Sequence, residues 1–157
     1  MIDIAVIIVN YRMAEFVSAC LRSLKKQIAQ SKYTIRVVVV DACSADNVGE
    51  VIDRENLDCV STIYLEENRG YAAGVNAGIK SVEAAYYFAI NPDVIFFEPN
   101  TLDRLFAFME QNQHVGMAVP KLLYMDGSLQ FSCWRFPQPL IPLYRRTVWG
   151  NTRAGEK

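Results

Sequence analysis

Apolar residues along this chain fall into short blocks of two alternating kinds. Ile4-Ala-Val-Ile-Ile-Val9 is unbroken and rich in β-branched residues, which predicts a central strand buried on both faces. Phe16, Val17, Cys20, Leu21 and Leu24 then recur at helical spacing, with Arg22, Lys25 and Lys26 on the other side. That pattern predicts an amphipathic helix. Ile35 to Val40 reads as a second buried strand, ending at Asp41. The polar stretch Ser44-Ala-Asp46-Asn47 can cap a short helix running through Ile52. Val60 to Leu65 reads as a third strand, and Gly70 to Val82 as a helix with apolar and small residues on one face. Tyr86 to Ile90 is a fourth strand, ending at Asn91-Pro92-Asp93. Pro99 is expected to open a helix whose buried stripe is Leu102, Leu105, Phe106 and Met109. Val115 to Val119 is expected as another strand, and Lys121 to Phe131 as a hairpin turning at Asp126-Gly127.

Strands alternate with helices through most of the chain, which implies βαβ units with right-handed crossovers. The fold class expected is therefore α/β, a mainly parallel sheet with helices on both faces and a C-terminal hairpin. The pattern fades after Pro137, giving way to Pro139, Pro142, Arg145, Arg146 and a polar tail from Gly150. Residues 1–137 are expected to form one domain, and residues 138–157 an irregular or partly disordered tail. A length of 157 residues fits that single domain.

Composition narrows the partners. The net charge is −1 and no basic block occurs, which argues against a nucleic-acid binder, since such affinity rests on clustered Lys and Arg. No apolar run approaches the roughly 20 residues that span a bilayer. Asp3 precedes the first apolar block, so that block reads as a strand and not as a signal peptide. Cys20, Cys43, Cys59 and Cys133 are irregularly spaced with no C-x-x-C pair. They read as reduced thiols of a cytoplasmic protein, without a disulfide or zinc framework.

In an open parallel sheet, ligands bind at the carboxyl ends of the strands. The polar residues fall at those ends: Asn10-Tyr11, Asp41, Glu66-Glu67-Asn68-Arg69-Gly70 and Asn91-Pro92-Asp93. Four strand ends thus bring Tyr11, Asp41, Asn68 and Asp93 to one rim. Each has a plainer reading alone. Asp41 could cap the next helix, Asn68-Arg69-Gly70 could be a turn, and Asp93 could be a turn residue. Gly70, Gly74 and Gly78 share one helix face and could serve close packing only. His114 reads as a solvated turn residue.

Five stretches carry a resemblance: Val6-Ile-Ile-Val-Asn-Tyr11, Val38-Val-Val-Asp41-Ala-Cys-Ser44-Ala-Asp46, Glu67-Asn-Arg-Gly-Tyr-Ala-Ala-Gly-Val-Asn-Ala-Gly78, Ile90-Asn-Pro-Asp-Val94, and finally Val115-Gly116 with Pro120-Lys-Leu and Asp126-Gly-Ser-Leu-Gln130. In this order they resemble family 2 glycosyltransferases of the GT-A (Rossmann-like) fold, especially the rhamnosyltransferase-like branch. The resemblance implies metal-assisted, inverting transfer of a sugar from a dTDP- or UDP-sugar to a glycan or lipid-linked acceptor. It implies that Val9, Asn10 and Tyr11 pack on the base and that Asp41 hydrogen-bonds it. Asn68, Gly70 and Asn76 fall in the donor-pocket stretch. Asp93 matches the last residue of the D-x-D metal signature, for Mg²⁺ or Mn²⁺, with Asn91 in place of the first aspartate.

The family's catalytic base resembles an acidic residue well downstream of the metal motif. Cys133 to Lys157 holds one carboxylate, Glu156, so a truncated donor-binding portion with little transfer of its own is expected. The same analogy implies polysaccharide assembly at the inner face of the membrane. Arg145, Arg146 and the aromatics between Trp134 and Trp149 leave peripheral membrane contact open, but the favoured reading of that segment is an exposed stub that packs against the missing half. A stand-alone nucleotide-binding or regulatory module is the competing reading. A nucleotidyltransferase would call for a Gly-rich basic loop where Asn10-Tyr-Arg-Met-Ala-Glu15 stands.

Overall fold

A computed structural model describes residues 2–132. It divides into two units, Met1–Pro120 and Lys121–Lys157. In the first, strands and helices alternate: β1 (Ile2–Asn10), α1 (Ala14–Gln30), β2 (Ile35–Asp41), α2 (Val48–Glu55), β3 (Val60–Tyr64), α3 (Tyr71–Ser81), β4 (Ala84–Ile90) and α4 (Thr101–Gln111). The strands form one parallel sheet in the order β3-β2-β1-β4. The α/β class read from the pattern is the one found.

The unbroken apolar blocks became the two inner strands because those strands are covered on both sides. Ile4, Val6 and Ile8 of β1, with Val37 and Val39 of β2, pack against Val17, Leu21 and Leu24 of α1, Val51 of α2 and Leu102 of α4. The alternate residues, Ala5, Ile7, Val38 and Val40, meet Ala77 and Ile79 of α3. In β4, the last strand in this order, Phe88 and Ile90 join the α1 side while Ala85, Tyr87 and Ala89 stay exposed.

The spacing of the small residues in α3 has a packing reason at two positions. A Cβ on Gly74 would stand 2.7 Å from Val9 Cγ1, and one on Gly78 would stand 2.5 Å from Ile7 Cγ2. Side chains there would lift α3 off β1.

Four expectations need correction. Val115–Val119 is not a strand: the Val115 N–H donates to Asn112 O at 2.8 Å in a turn, and Met117 is 81% exposed. Pairing would bury little there. Helix α4 begins at Thr101, after Pro99, because Asn100 adopts a left-handed conformation (φ 59°) and Gln27 of α1 closes the helix start. Buried Gln27 accepts from Thr101 N–H at 2.8 Å and Leu102 N–H at 3.4 Å, and donates to Glu98 O at 2.8 Å. Of the stripe expected on α4, Leu102 is buried while Leu105, Phe106 and Met109 are half-covered. Finally, α2 runs on to Glu55, and its start has no side-chain cap.

In the second unit, residues 121–132 are described. Leu123 and Leu129 face each other across one antiparallel bridge, and Gly127 (φ 81°) sits in the turn. The tail expected at residues 138–157 and the Trp134–Trp149 stretch lie outside the described residues.

Candidate functional site

The register sets three residues in a row across the carboxyl edge of the sheet, Asn10 beside Asp41 and Asp41 beside Tyr64. The ends of the apolar blocks, where the sequence turns polar, therefore meet in space. Asn10 has 0% exposure and Asp41 3%. A buried side-chain amide needs partners, and Asn10 finds them in Asp41 and in the loops after β1 and β2. Its Nδ2 lies 2.8 Å from Asp41 Oδ1, 2.9 Å from Ser44 Oγ and 3.0 Å from Asp46 Oδ1. Its Oδ1 accepts the Met13 N–H at 3.1 Å. Asp41 Oδ2 accepts the Ser44 N–H at 3.0 Å, and Ser44 Oγ also contacts Asp41 Oδ1.

Asp46 does not cap the helix that follows it. Its Oδ2 accepts the Ala14 N–H at 2.9 Å, closing the first turn of α1 from another part of the chain. Burial pushes its carboxyl up, but donors from Ser44, Asn10 and Ala14 outweigh that and hold it below the ordinary aspartate value.

The loops beyond this row are held in uncommon shapes. Arg12 (φ 58°) follows β1 and Cys43 (φ 57°) follows β2, both left-handed without being glycine. Such positions cluster where function fixes the backbone. Tyr11 is 42% exposed, and the Arg12 guanidinium stands 5.2 Å from its ring centroid. An open cleft of about 410 Å³ lies past the end of β2, lined by Asp41, Ser44, Asn47, Val48, Glu50 and Tyr64 among others. It combines a flat aromatic wall with a carboxylate and a hydroxyl, which suits a planar polar ligand.

After β3, Asn68 Oδ1 accepts the Gly70 N–H at 2.8 Å, and Gly70 (φ 86°) leads into α3. Here glycine serves conformation, whereas Gly74 and Gly78 serve packing. Arg69 and Glu67 pair at the surface. Asn76 is exposed on α3, and Asn68 is exposed too.

Asn91 and Asp93 are exposed just past β4, on either side of buried Pro92. Asp93 lies near enough to Cys20 to raise its thiol, second to burial, and together they push it up to about 12. Among the described residues, no three His, Cys, Asp or Glu side chains converge as a ready-made metal cage. The carboxylate of Asp93 with the amide of Asn91 is an all-oxygen donor pair. It fits a hard divalent ion that takes its remaining ligands from a phosphate and water.

Since β1 lies between β2 and β4, the polar ends of all four strands succeed one another along the same edge. The chain reverses its direction of winding between β1 and β4, where such sheets bind ligands. Every site residue expected from the sequence lies at this edge, in the loops after it or on α3; Val9 and Asn10, at the end of β1, are buried. Sequence reasoning gave Ser44 and Asp46 a helix-capping role but no place in the site, and Tyr64 none. The signal for the first two was present, since hydroxyl and carboxylate residues crowd the loop after Asp41. A separate hollow of about 300 Å³, lined by Ile4, Tyr86, Leu102 and Phe106 among others, is apolar and lies toward the amino ends of β1 and β4.

Residues 5–147 match the family model described as Glycosyl transferase family 2. The chain is 30% identical over 151 residues to the succinoglycan biosynthesis protein ExoO of Rhizobium meliloti (strain 1021), covering 90% of this chain and 41% of that protein. Its fold is similar to that of S. aureus TarS 1-349 in complex with UDP, with a TM-score of 0.62, 25% identity, and coverage of 79% of this chain and 40% of that one. It is also similar in fold to the mannosyltransferase PcManGT of Pyrobaculum calidifontis in complex with GDP-Man and Mn²⁺. There the TM-score is 0.61 at 21% identity, over 68% of this chain and 32% of that one. The chain thus spans less than half the length of these relatives.

Proposed function

The chain belongs to glycosyl transferase family 2, and from that premise we propose that its first unit binds the donor for transfer of a sugar from a nucleoside diphosphate sugar. The observation that carries this reading is the gathering of Tyr11, Asp41, Asn68 and Asp93 at the carboxyl ends of four adjacent parallel strands. The relatives solved with UDP and with GDP-Man support the same ligand class.

Each residue has a task in this reading. Tyr11 offers a flat face for the base, and Asp41 accepts a base N–H from the floor of the cleft. Val9 and Asn10 back that floor. Asn68, Gly70 and Asn76 line the path of the ribose and diphosphate. Asn91 and Asp93 would hold Mg²⁺ or Mn²⁺ through oxygen atoms, and the Mn²⁺ complex of a neighbour supports a divalent ion. A bound divalent ion supplies charge neutralisation for the departing diphosphate. The protein residues fix the anomeric carbon and leaving group in line, which lowers the entropy cost of reaction.

Transfer then proceeds by attack of an acceptor hydroxyl on the anomeric carbon, from the face opposite the diphosphate. The new C–O bond forms as the sugar–phosphate bond breaks, the configuration inverts, and a general base takes the hydroxyl proton. No described residue is assigned as that base. A glycan or lipid-linked acceptor, a rhamnosyltransferase-like specificity and work at the cytoplasmic face of a membrane belong to the same reading. No helix among the described residues is long and apolar enough to cross a membrane.

The test is calorimetric titration of the chain with UDP and with dTDP, each with and without Mn²⁺. Binding of one nucleotide, strengthened by metal and losing that metal dependence in Asp93→Ala, is expected. Absence of binding to either, with or without metal, would sink the reading.

A further inference from the structure

The Asn10–Asp41–Ser44–Asp46 cluster contains more acceptors than hydrogens to share. The Asn10 amide has two hydrogens and the Ser44 hydroxyl one. Asp41 Oδ1 and both oxygens of Asp46 stand within reach of the Asn10 amide, at 2.8, 3.0 and 3.2 Å. Ser44 Oγ lies 2.6 Å from Asp46 Oδ1 and in contact with Asp41 Oδ1 as well. What Asp46 takes, Asp41 does not receive. A carboxylate that receives fewer internal hydrogen bonds keeps more acceptor capacity for a ligand.

Asp46 also holds the other wall of the site. Its second oxygen accepts the Ala14 N–H at 2.9 Å, and Ala14 ends the loop that carries Tyr11 and Arg12. A single side chain thus ties the start of α1, next to the loop that carries Tyr11, to the carboxylate edge.

We propose that Asp46 is a positioning residue for nucleobase recognition, fixing through Asn10 and Ser44 the orientation and free acceptor capacity of Asp41. The proposal rests on the donor-binding reading and deepens it. In Asp46→Asn, the new amide becomes a donor toward Ser44 and turns the hydroxyl proton onto Asp41. Asp41 then has less capacity left for a base N–H.

The experiment titrates the whole chain, with Mn²⁺, using whichever of UDP and dTDP it binds and the 3-methyl derivative of that nucleotide, which lacks the base N–H. Wild type is expected to favour the parent nucleotide. Asp46→Asn is expected to bind the parent about tenfold more weakly, as for loss of one hydrogen bond to a charged group. Its preference over the methylated form should shrink toward one. A merely structural role would weaken both ligands equally and leave their ratio unchanged; that result overturns the proposal. Ser44→Ala removes the shared hydroxyl but leaves the Ala14 contact, so it decides the matter if Asp46→Asn fails to fold, again by the ratio. Wild type that binds parent and methylated forms alike would overturn the proposal and leave the donor reading standing. Wild type that binds neither would remove both.

Discussion

Gly78 of α3 rests against Ile7 of β1 so closely that an added Cβ would stand 2.5 Å from Ile7 Cγ2 and 3.2 Å from Val40 Cγ2. Ile7 and Val40 are fully buried and have no free side to yield. Replacing Gly by Ala inside a helix ordinarily gains about 1 kcal/mol, but overpacking a core costs about 1–3 kcal/mol. At this contact the second effect wins. Gly78→Ala is expected to lower stability by about 1–2 kcal/mol, measured as a shift in urea midpoint. A midpoint at or above wild type would show that α3 moves away freely.

Gln27 is a tertiary cap, and its removal should act at a distance. Gln27→Ala leaves the Thr101 and Leu102 N–H groups without their partner, while the Glu98 carbonyl keeps only the Thr101 hydroxyl. The expected cost is about 1–2 kcal/mol, the range for a lost cap and unpaired buried groups. Amide hydrogen exchange should quicken at Leu102 more than at Ile7. Equal acceleration at both would mean general destabilisation and not a lost cap.

These contacts mark where sequence reading reached and where it stopped. The strands were legible because β1 and β2 are covered on both faces and so are written as unbroken Ile and Val. Strand ends were legible because the first polar residue after each block falls on the carboxyl edge, as Asn10 and Asp41 do. Long-range caps were not. Gln27 and Asp46 each close a helix distant in sequence, and nothing local distinguishes such a residue from one that caps its own neighbour. Pro99 misled for the same reason, since the start of α4 is set by Gln27. Val115–Val119 misled because an apolar run says nothing about whether a partner strand is in reach.

Stability should fall at acid pH through Glu55. The hydrogen bond from Arg22 at 2.8 Å, then that from Ser18, hold its carboxyl below the ordinary glutamate value. The unfolded chain, with its ordinary value near 4.3, takes up the proton first as pH falls. The contribution is therefore whole above that value and is lost as pH drops through the lower native one. Urea midpoints taken downward from pH 7 should show a steeper acid decline in wild type than in Glu55→Gln. Superimposable slopes would remove Glu55 from the account.

Thiol chemistry should separate two of the cysteines. Cys43 is exposed at the end of β2, while Cys20 is buried in α1 with its thiol pushed up to about 12. Thiolate is the reactive form. Iodoacetamide at pH 8 is expected to modify Cys43 within the time that leaves Cys20 intact, with Cys20 reacting only in denaturant. Peptide mapping by mass spectrometry reads this directly, and native labelling of Cys20 at the rate of Cys43 would contradict the burial.

The Ala14–Asp46 contact also has a consequence for the order of events during synthesis. When Gln30 has been added, every residue of α1 exists, yet the carboxylate that closes its first turn has not been made. The helix start stays open until β2 and the loop after it emerge. The contact that closes the start of the first helix therefore belongs to the same loop that completes the polar edge around Asp41.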